Sequence, residues 1–256
     1  MSAPHIGFDA LPLRAATISN LTQLGYTQMT PIQAASLHLT LAGKDVLAQA
    51  STGSGKTAAF GLPLVEKLNP SVSDAQALVL CPTRELAEQV TQEIRRLARA
   101  VGNVKVVTLY GGVALRGQTQ SLEHGAHVVV GTPGRILDYL ERGSLQLQAV
   151  NTLVLDEADR MLDMGFFDDI AKLARQCPKD RQTLLFSATY PDGIAKLASQ
   201  FMRDPHNVKV QAQHDASKIR QIFYQVNESE RLHAVSLILN HIFSGSMTLN
   251  GMFILH

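Results

Sequence analysis

Short apolar runs rich in β-branched residues recur along the chain, over Asp45–Gln49, Ala77–Cys81, Val104–Leu109, His127–Val130, Thr152–Leu155, Thr183–Phe186 and Val208–Val210. Each has the length of a strand, and their largely unbroken apolar character predicts strands covered on both faces. Between them lie segments with helical spacing, with Leu86, Val90, Ile94 and Leu97 in Glu85–Ala100 and a shorter pattern in Ile170–Arg175. The alternation predicts an α/β fold, a mainly parallel sheet with helices on both faces. In such sheets ligands sit beyond the carboxyl ends of the strands, so function is to be sought in the residues that follow each run.

Composition narrows the partners. The 256 residues are 45% hydrophobic, enough to bury a core. No window approaches the ~18 uncharged apolar residues of a membrane span. Twenty-three Lys and Arg against 22 Asp and Glu leave a charge of +1, which excludes a carpet of positive charge, so any polyanion must be gripped locally. With 5% aromatics and no Trp, a constitutive stacking platform for single strands is also excluded. Cys81 and Cys177 are far apart, with no CxxC and no clustered His, so neither a disulfide framework nor a zinc site is indicated. The first residues lack an apolar stretch after a basic start, which predicts a cytoplasmic location.

Six consecutive run ends carry polar or glycine-rich segments. They are Ala50-Ser51-Thr52-Gly53-Ser54-Gly55-Lys56-Thr57, Pro82-Thr83-Arg84-Glu85, Gly111-Gly112, Thr132-Pro133-Gly134-Arg135, Asp156-Glu157-Ala158-Asp159 and Ser187-Ala188-Thr189. The first is the phosphate-loop pattern with Ala in place of the leading Gly. Small residues let backbone N–H groups turn onto phosphate oxygens, Lys56 reaches the β/γ phosphates, and the Thr57 hydroxyl suits Mg²⁺. A dinucleotide reading, GxGxxA with Asp74 as ribose ligand, fails because Asp74 precedes the next strand and Lys56-Thr57 go unexplained.

A phosphate-loop site needs a carboxylate to hold Mg²⁺ and a group to activate water. Asp156 suits the first role and Glu157 the second, although an acidic tetrad also fits the first turn of any helix. Arg160, Asp163, Asp168 and Asp169 read as ordinary surface charges. No Asn-Lys-x-Asp guanine reader occurs. Upstream, Tyr26 and Gln33 lie just before and within a helix that starts near Pro31. A Gln amide can pair with adenine and a ring can stack on it, yet the same residues also fit a helix surface and a core. Arg84 and Arg135, taken alone, also fit solvated helix starts.

Taken in order, these segments resemble the motif series of DEAD-box ATP-dependent RNA helicases, and Phe8 matches that family's isolated upstream aromatic. Gln76–Val90, Asn151–Phe166 and Arg181–Thr189 are most similar to the bacterial DEAD-box protein A branch, which acts on large-subunit ribosomal RNA. The resemblance implies a RecA-like domain that binds ATP and Mg²⁺. It implies that Phe8, Tyr26 and Gln33 hold adenine, that residues 51–57 hold the phosphates, and that Thr57 and Asp156 hold the ion. Lys56, Asp156 and Glu157 would be catalytic, with Asp159, Ser187 and Thr189 coupling nucleotide state to strand separation. RNA backbone would meet Pro82, Thr83, Arg84, Gly111, Gly112, Thr132, Pro133, Gly134 and Arg135.

The family's second RecA-like domain carries motifs like Ala-Arg-Gly-x-Asp and His-Arg-x-Gly-Arg, and neither occurs here. The expected organisation is a RecA-like domain over 1–211, a linker over 212–221, the start of a second such domain over 222–243, and an atypical tail over 244–256. Within 222–243, Ile222–Val226 reads as a strand and Arg231–Ile242 as a helix whose apolar residues lack a partner sheet. The chain alone is then expected to turn ATP over slowly and not to unwind RNA. Other readings are a non-catalytic nucleotide-dependent RNA- or partner-binding domain, and a small-molecule phosphate-loop kinase, for which no acceptor pocket or basic lid is evident.

Overall fold

A computed structural model describes residues 7–113, 115–210 and 226–243 of the chain. The chain forms two compact units, Met1–Ala212 and Gln213–His256. In the first, seven strands form one parallel sheet: β1 (Val46–Gln49), β2 (Ala77–Leu80), β3 (Val106–Leu109), β4 (Val128–Gly131), β5 (Thr152–Leu155), β6 (Gln182–Ser187) and β7 (His206–Lys209). Their order is β3-β4-β2-β5-β6-β1-β7, and all six pairings are parallel. The expected architecture is therefore the observed one, with strand ends within two residues of the ends of the apolar runs.

Strand side chains alternate between two cores, which is why the runs are apolar throughout. Val79 of β2 and Val154 of β5 face a core completed by Phe60, Ile94 and Leu97. Leu78, Leu80, Leu153 and Leu155 face the other, with Ile136, Met161 and Leu173. The first core is covered by α1 (Ala15–Gln23), α2 (Pro31–Leu41), α3 (Lys56–Lys67) and α4 (Arg84–Leu97). The sequence periodicity carries α4 on to Ala100, but the chain tightens into a 3₁₀ turn over Ala98–Ala100. Then come α5 (Leu115–Glu123), α6 (Pro133–Glu141), α7 (Ala158–Asp163), α8 (Phe167–Gln176) and α9 (Asp192–Phe201), of which α6 to α9 pack on the second core.

In the second unit, a 3₁₀ turn over Glu228–Glu230 leads into α10 (Arg231–Phe243). Leu232 and Leu237 are exposed on it. The strand expected over Ile222–Val226 lies outside the described residues except for Val226, which has no regular structure. No described helix is long and apolar enough to cross a membrane.

One close approach fixes the spacing of the sheet where β3 and β4 end. A Cβ on Gly131 would lie 2.0 Å from the Leu109 carbonyl oxygen, and backbone cannot yield as a side chain can. Gly117, in α5, has open space around it. Gly131→Ala is therefore expected to lower the unfolding free energy by more than about 2 kcal/mol. Gly117→Ala should raise it by about 0.5–1 kcal/mol, both read from denaturant melts.

Candidate functional site

The ends of β5, β6 and β1 are neighbours in the sheet, which brings Asp156–Asp159, Ser187–Thr189 and the 50–57 loop together. Ala50 N donates to Ser187 O (3.0 Å) as the loop leaves β1. Gly53 and Gly55 then turn the chain at φ of 78° and 92°, left-handed values that a side chain disfavours. At Gly55 a Cβ would also come within 2.6 Å of Gln33 Nε2. Ser54 Oγ closes the turn on Ser51 O (2.7 Å), and α3 begins at Lys56.

Lys56 is only 6% exposed. Its Nζ has no hydrogen-bond acceptor and lies 4.0 Å from Asp156 Oδ1. Burial pushes the Asp156 carboxyl up to about 6, against the pull of Lys56 and with the help of the Glu157 charge. Glu157 stands at φ 49°, ψ 50° at the start of α7. It accepts a hydrogen bond from Thr52 Oγ1 (3.0 Å) and lies 3.5 Å from Arg160 Nη1, so Arg160, read from sequence as an ordinary charge, pairs with the tetrad.

Asp159 Oδ2 accepts from both Thr189 N (2.9 Å) and Thr189 Oγ1 (2.8 Å). Burial works to raise its pKa, but these bonds outweigh it and hold the carboxyl below its ordinary value. Ser187 Oγ is buried at the end of β6 without a hydrogen bond of good geometry, though close enough to help hold Asp159 low.

A cleft of about 430 Å³ opens beside the loop, lined by Thr52, Gly53, residues 55–58, Asp156, Glu157, Tyr26 and one face of α4. That face carries Gln89, Glu93 and Arg96, which sequence reading missed; their spacing of i, i+4 and i+7 was the available signal. Tyr26 donates its phenolic hydrogen to Glu93, and Arg96 pairs with Glu93 at 2.8 Å. Burial and Glu93 together raise the Tyr26 pKa.

Phe8 is buried behind Tyr26, edge to face at 5.9 Å, and does not line the cleft. Gln33 is 1% exposed. Its Oε1 caps α2 by accepting from Thr30 N (2.9 Å) and its Nε2 donates to Gly55 O (3.0 Å). One N–H and one lone pair of the amide remain.

The ends of β2, β4 and β3 form the other half of the same edge. Thr83 caps α4, accepting from Leu86 N at 3.4 Å, and Arg84 begins the helix with a half-exposed side chain. Gly111 and Gly112 are exposed, whereas Pro82 and Pro133 are buried, so the prolines shape helix entries and present little surface. Thr132 N donates to Leu109 O (3.0 Å) and Gly134 is half-buried on the first turn of α6.

Arg135 departs most from the phosphate-facing role expected of it. Its Nε donates to Tyr110 O (3.0 Å) and its Nη2 to Val113 O (2.8 Å), and the side chain is 11% exposed. The guanidinium brackets the two glycines from within the protein.

The raised Asp156 pKa has a definite consequence for stability. Between its ordinary 3.8 and about 6, the folded chain binds a proton that the unfolded chain has released, so stability falls as pH rises through that window. The decline amounts to at most about 3 kcal/mol. It should shrink in Asp156→Asn when unfolding free energies at pH 4 and pH 6 are compared.

Comparison with known proteins matches this geometry. The DEAD/DEAH box helicase family model matches residues 30–197. The chain is 51% identical over 228 residues to the ATP-dependent RNA helicase DbpA of Escherichia coli, covering 89% of this chain and 50% of that protein. It is 46% identical to the DEAD-box ATP-dependent RNA helicase CshA of Geobacillus kaustophilus, covering 91% of this chain and 50% of the other. Among solved structures, a DEAD box protein from Methanococcus jannaschii superposes with a TM-score of 0.77 at 42% identity, over 91% of this chain and 63% of that one. The chain spans about half the length of these curated relatives, and it belongs to the DEAD/DEAH box helicase family.

Proposed function

We propose that the chain carries the nucleotide-binding half of an ATP-dependent RNA helicase that acts on RNA duplexes, with ribosomal RNA in ribosome assembly as its substrate and the cytoplasm as its setting. The observation that carries this reading is the buried Lys56 ammonium under the glycine loop, 4.0 Å from Asp156 and without a hydrogen-bond acceptor. A triphosphate supplies the hydrogen-bond acceptors that Lys56 lacks. Kinship with proteins named ATP-dependent RNA helicases supports the same conclusion.

On this reading, the small residues Ser51 to Gly55 and the start of α3 cradle the phosphates, and Lys56 reaches the β and γ groups. The Thr57 hydroxyl and the Asp156 carboxylate suit Mg²⁺, which takes one or two protein oxygens and completes its shell with phosphate and water. The ion, when bound, offsets charge that develops on the transferred phosphoryl group. Glu157 orients and deprotonates water once it gives up Thr52.

Tyr26 stacks on adenine with Phe8 steadying it from behind. The N–H and lone pair left on Gln33 are the two groups that the N7 and N6 edge of adenine requires. Asp159, Ser187 and Thr189 tie the tetrad to β6. Thr83, Arg84, Gly111, Gly112, Thr132 and Gly134 meet RNA backbone, while Pro82, Pro133 and Arg135 shape the segments that do so.

Residues 1–211 then form the RecA-like unit, 212–221 a linker and 222–243 the opening of a second unit that supplies the arginine finger. Because such a finger is worth on the order of 10³–10⁵ in turnover, the 256-residue chain hydrolyses ATP slowly by itself.

Two measurements test these statements. In equilibrium titrations ATP should bind in preference to GTP, Gln33→Ala should erase the preference, and Lys56→Ala should weaken both by about tenfold or more. GTP binding as tightly as ATP to the unaltered chain would remove the adenine assignment. Hydrolysis should rise sharply when the second half of a full-length relative is supplied separately; rapid RNA-stimulated turnover by the chain alone contradicts the shared-site reading.

A further inference from the structure

The RNA-facing half of the edge contains a side-chain cluster that the motif series does not account for. Tyr110 precedes Gly111-Gly112, and its backbone is doubly anchored, its carbonyl accepting from Arg135 Nε (3.0 Å) and Gln118 Nε2 (3.1 Å). The ring itself faces Arg84. The Arg84 guanidinium lies over it, 4.8 Å from the ring centroid, a cation–π arrangement. One helical turn along α4, Glu88 Oε1 stands 3.4 Å from Arg84 Nε, and the Tyr110 phenol lies near enough to the same carboxylate to have its own pKa raised by it. Arg84 and Glu88 are 48% and 41% exposed, so both are reachable from solvent.

A carboxylate on the half-exposed Arg84 opposes the binding of a phosphodiester there. An exposed ion pair of this kind is weak and readily exchanged, whereas the ring contact does not compete with an anion for the guanidinium's N–H groups. We propose that Glu88 sets the affinity for single-stranded RNA: its carboxylate occupies the Arg84 guanidinium that an RNA phosphate takes, and the Tyr110 ring keeps that guanidinium in place during the exchange. Tyr110 is accordingly a positioning residue. Its phenol, together with Arg84, holds the Glu88 carboxyl below its ordinary value, which keeps it charged and in competition. The inference rests on the RNA reading above.

The test uses the full chain, a fluorescently labelled single-stranded oligoribonucleotide and a non-hydrolysable ATP analogue, with anisotropy as the readout. Glu88→Gln should tighten binding by on the order of two- to fivefold. Glu85→Gln, which removes the same charge one residue from Arg84, should change it less. In an Arg84→Ala background the gain from Glu88→Gln should vanish, a coupling that general charge removal does not produce. Tyr110→Leu should weaken binding while the affinity for the ATP analogue in the absence of RNA stays as it was.

Binding by the unaltered chain that Glu88→Gln leaves unchanged, or tightens equally without Arg84, overturns the inference and leaves the RNA reading standing. Binding by none of the variants overturns the RNA reading and the inference with it.

Discussion

The buried ammonium of Lys56 is the constraint around which the carboxyl edge of the sheet is arranged. Taking a charge out of water is costly unless it is paired and hydrogen-bonded, and Lys56 has only a carboxylate 4.0 Å away whose own ionisation burial opposes. The free site is therefore electrostatically unfinished, which is why a polyanionic ligand is proposed for it. The surrounding contacts keep it so. The left-handed glycines hold the loop open above Lys56, Gln33 ties α2 to Gly55 O, and the Ser187 carbonyl fixes the exit from β1.

Strand order divides the edge into two neighbouring halves. The loop, the tetrad and Ser187–Thr189 follow β1, β5 and β6, while the segments assigned to RNA follow β2, β4 and β3. The border is the β2–β5 pair, where Leu80 stands opposite Leu155. Pro82–Arg84 and Asp156–Glu157 leave the sheet one strand apart, a separation of about 4.8 Å. Cys81, fully buried at that border, has its thiol pushed well up by burial and by the charges of Asp156 and Glu157.

Much of this was legible in the sequence because its causes are local. Strands buried on both faces must be apolar throughout, and Gly53 and Gly55 report a backbone that only glycine adopts easily. Features that depend on distant partners were not legible. Nothing near Arg135 announces that its guanidinium is taken by the carbonyls of Tyr110 and Val113, over twenty residues away. Gln89, Glu93 and Arg96 read as the solvated side of an amphipathic helix, because the cleft they line exists only once α4 has packed beside α3. Gln33 was legible as a polar group near the site, but its use as a helix cap required the structure.

Glu157 shows where fold and chemistry diverge. A non-glycine residue at φ 49° costs about 1 kcal/mol or more relative to an ordinary backbone conformation, and a sequence optimised for stability would place glycine or asparagine there. The strain sits on the second of the two residues that join β5 to α7, so the main chain helps set the direction in which the carboxylate leaves. That strain is borne by the fold whether or not anything is bound, so the direction in which the Glu157 side chain leaves the main chain is set during folding.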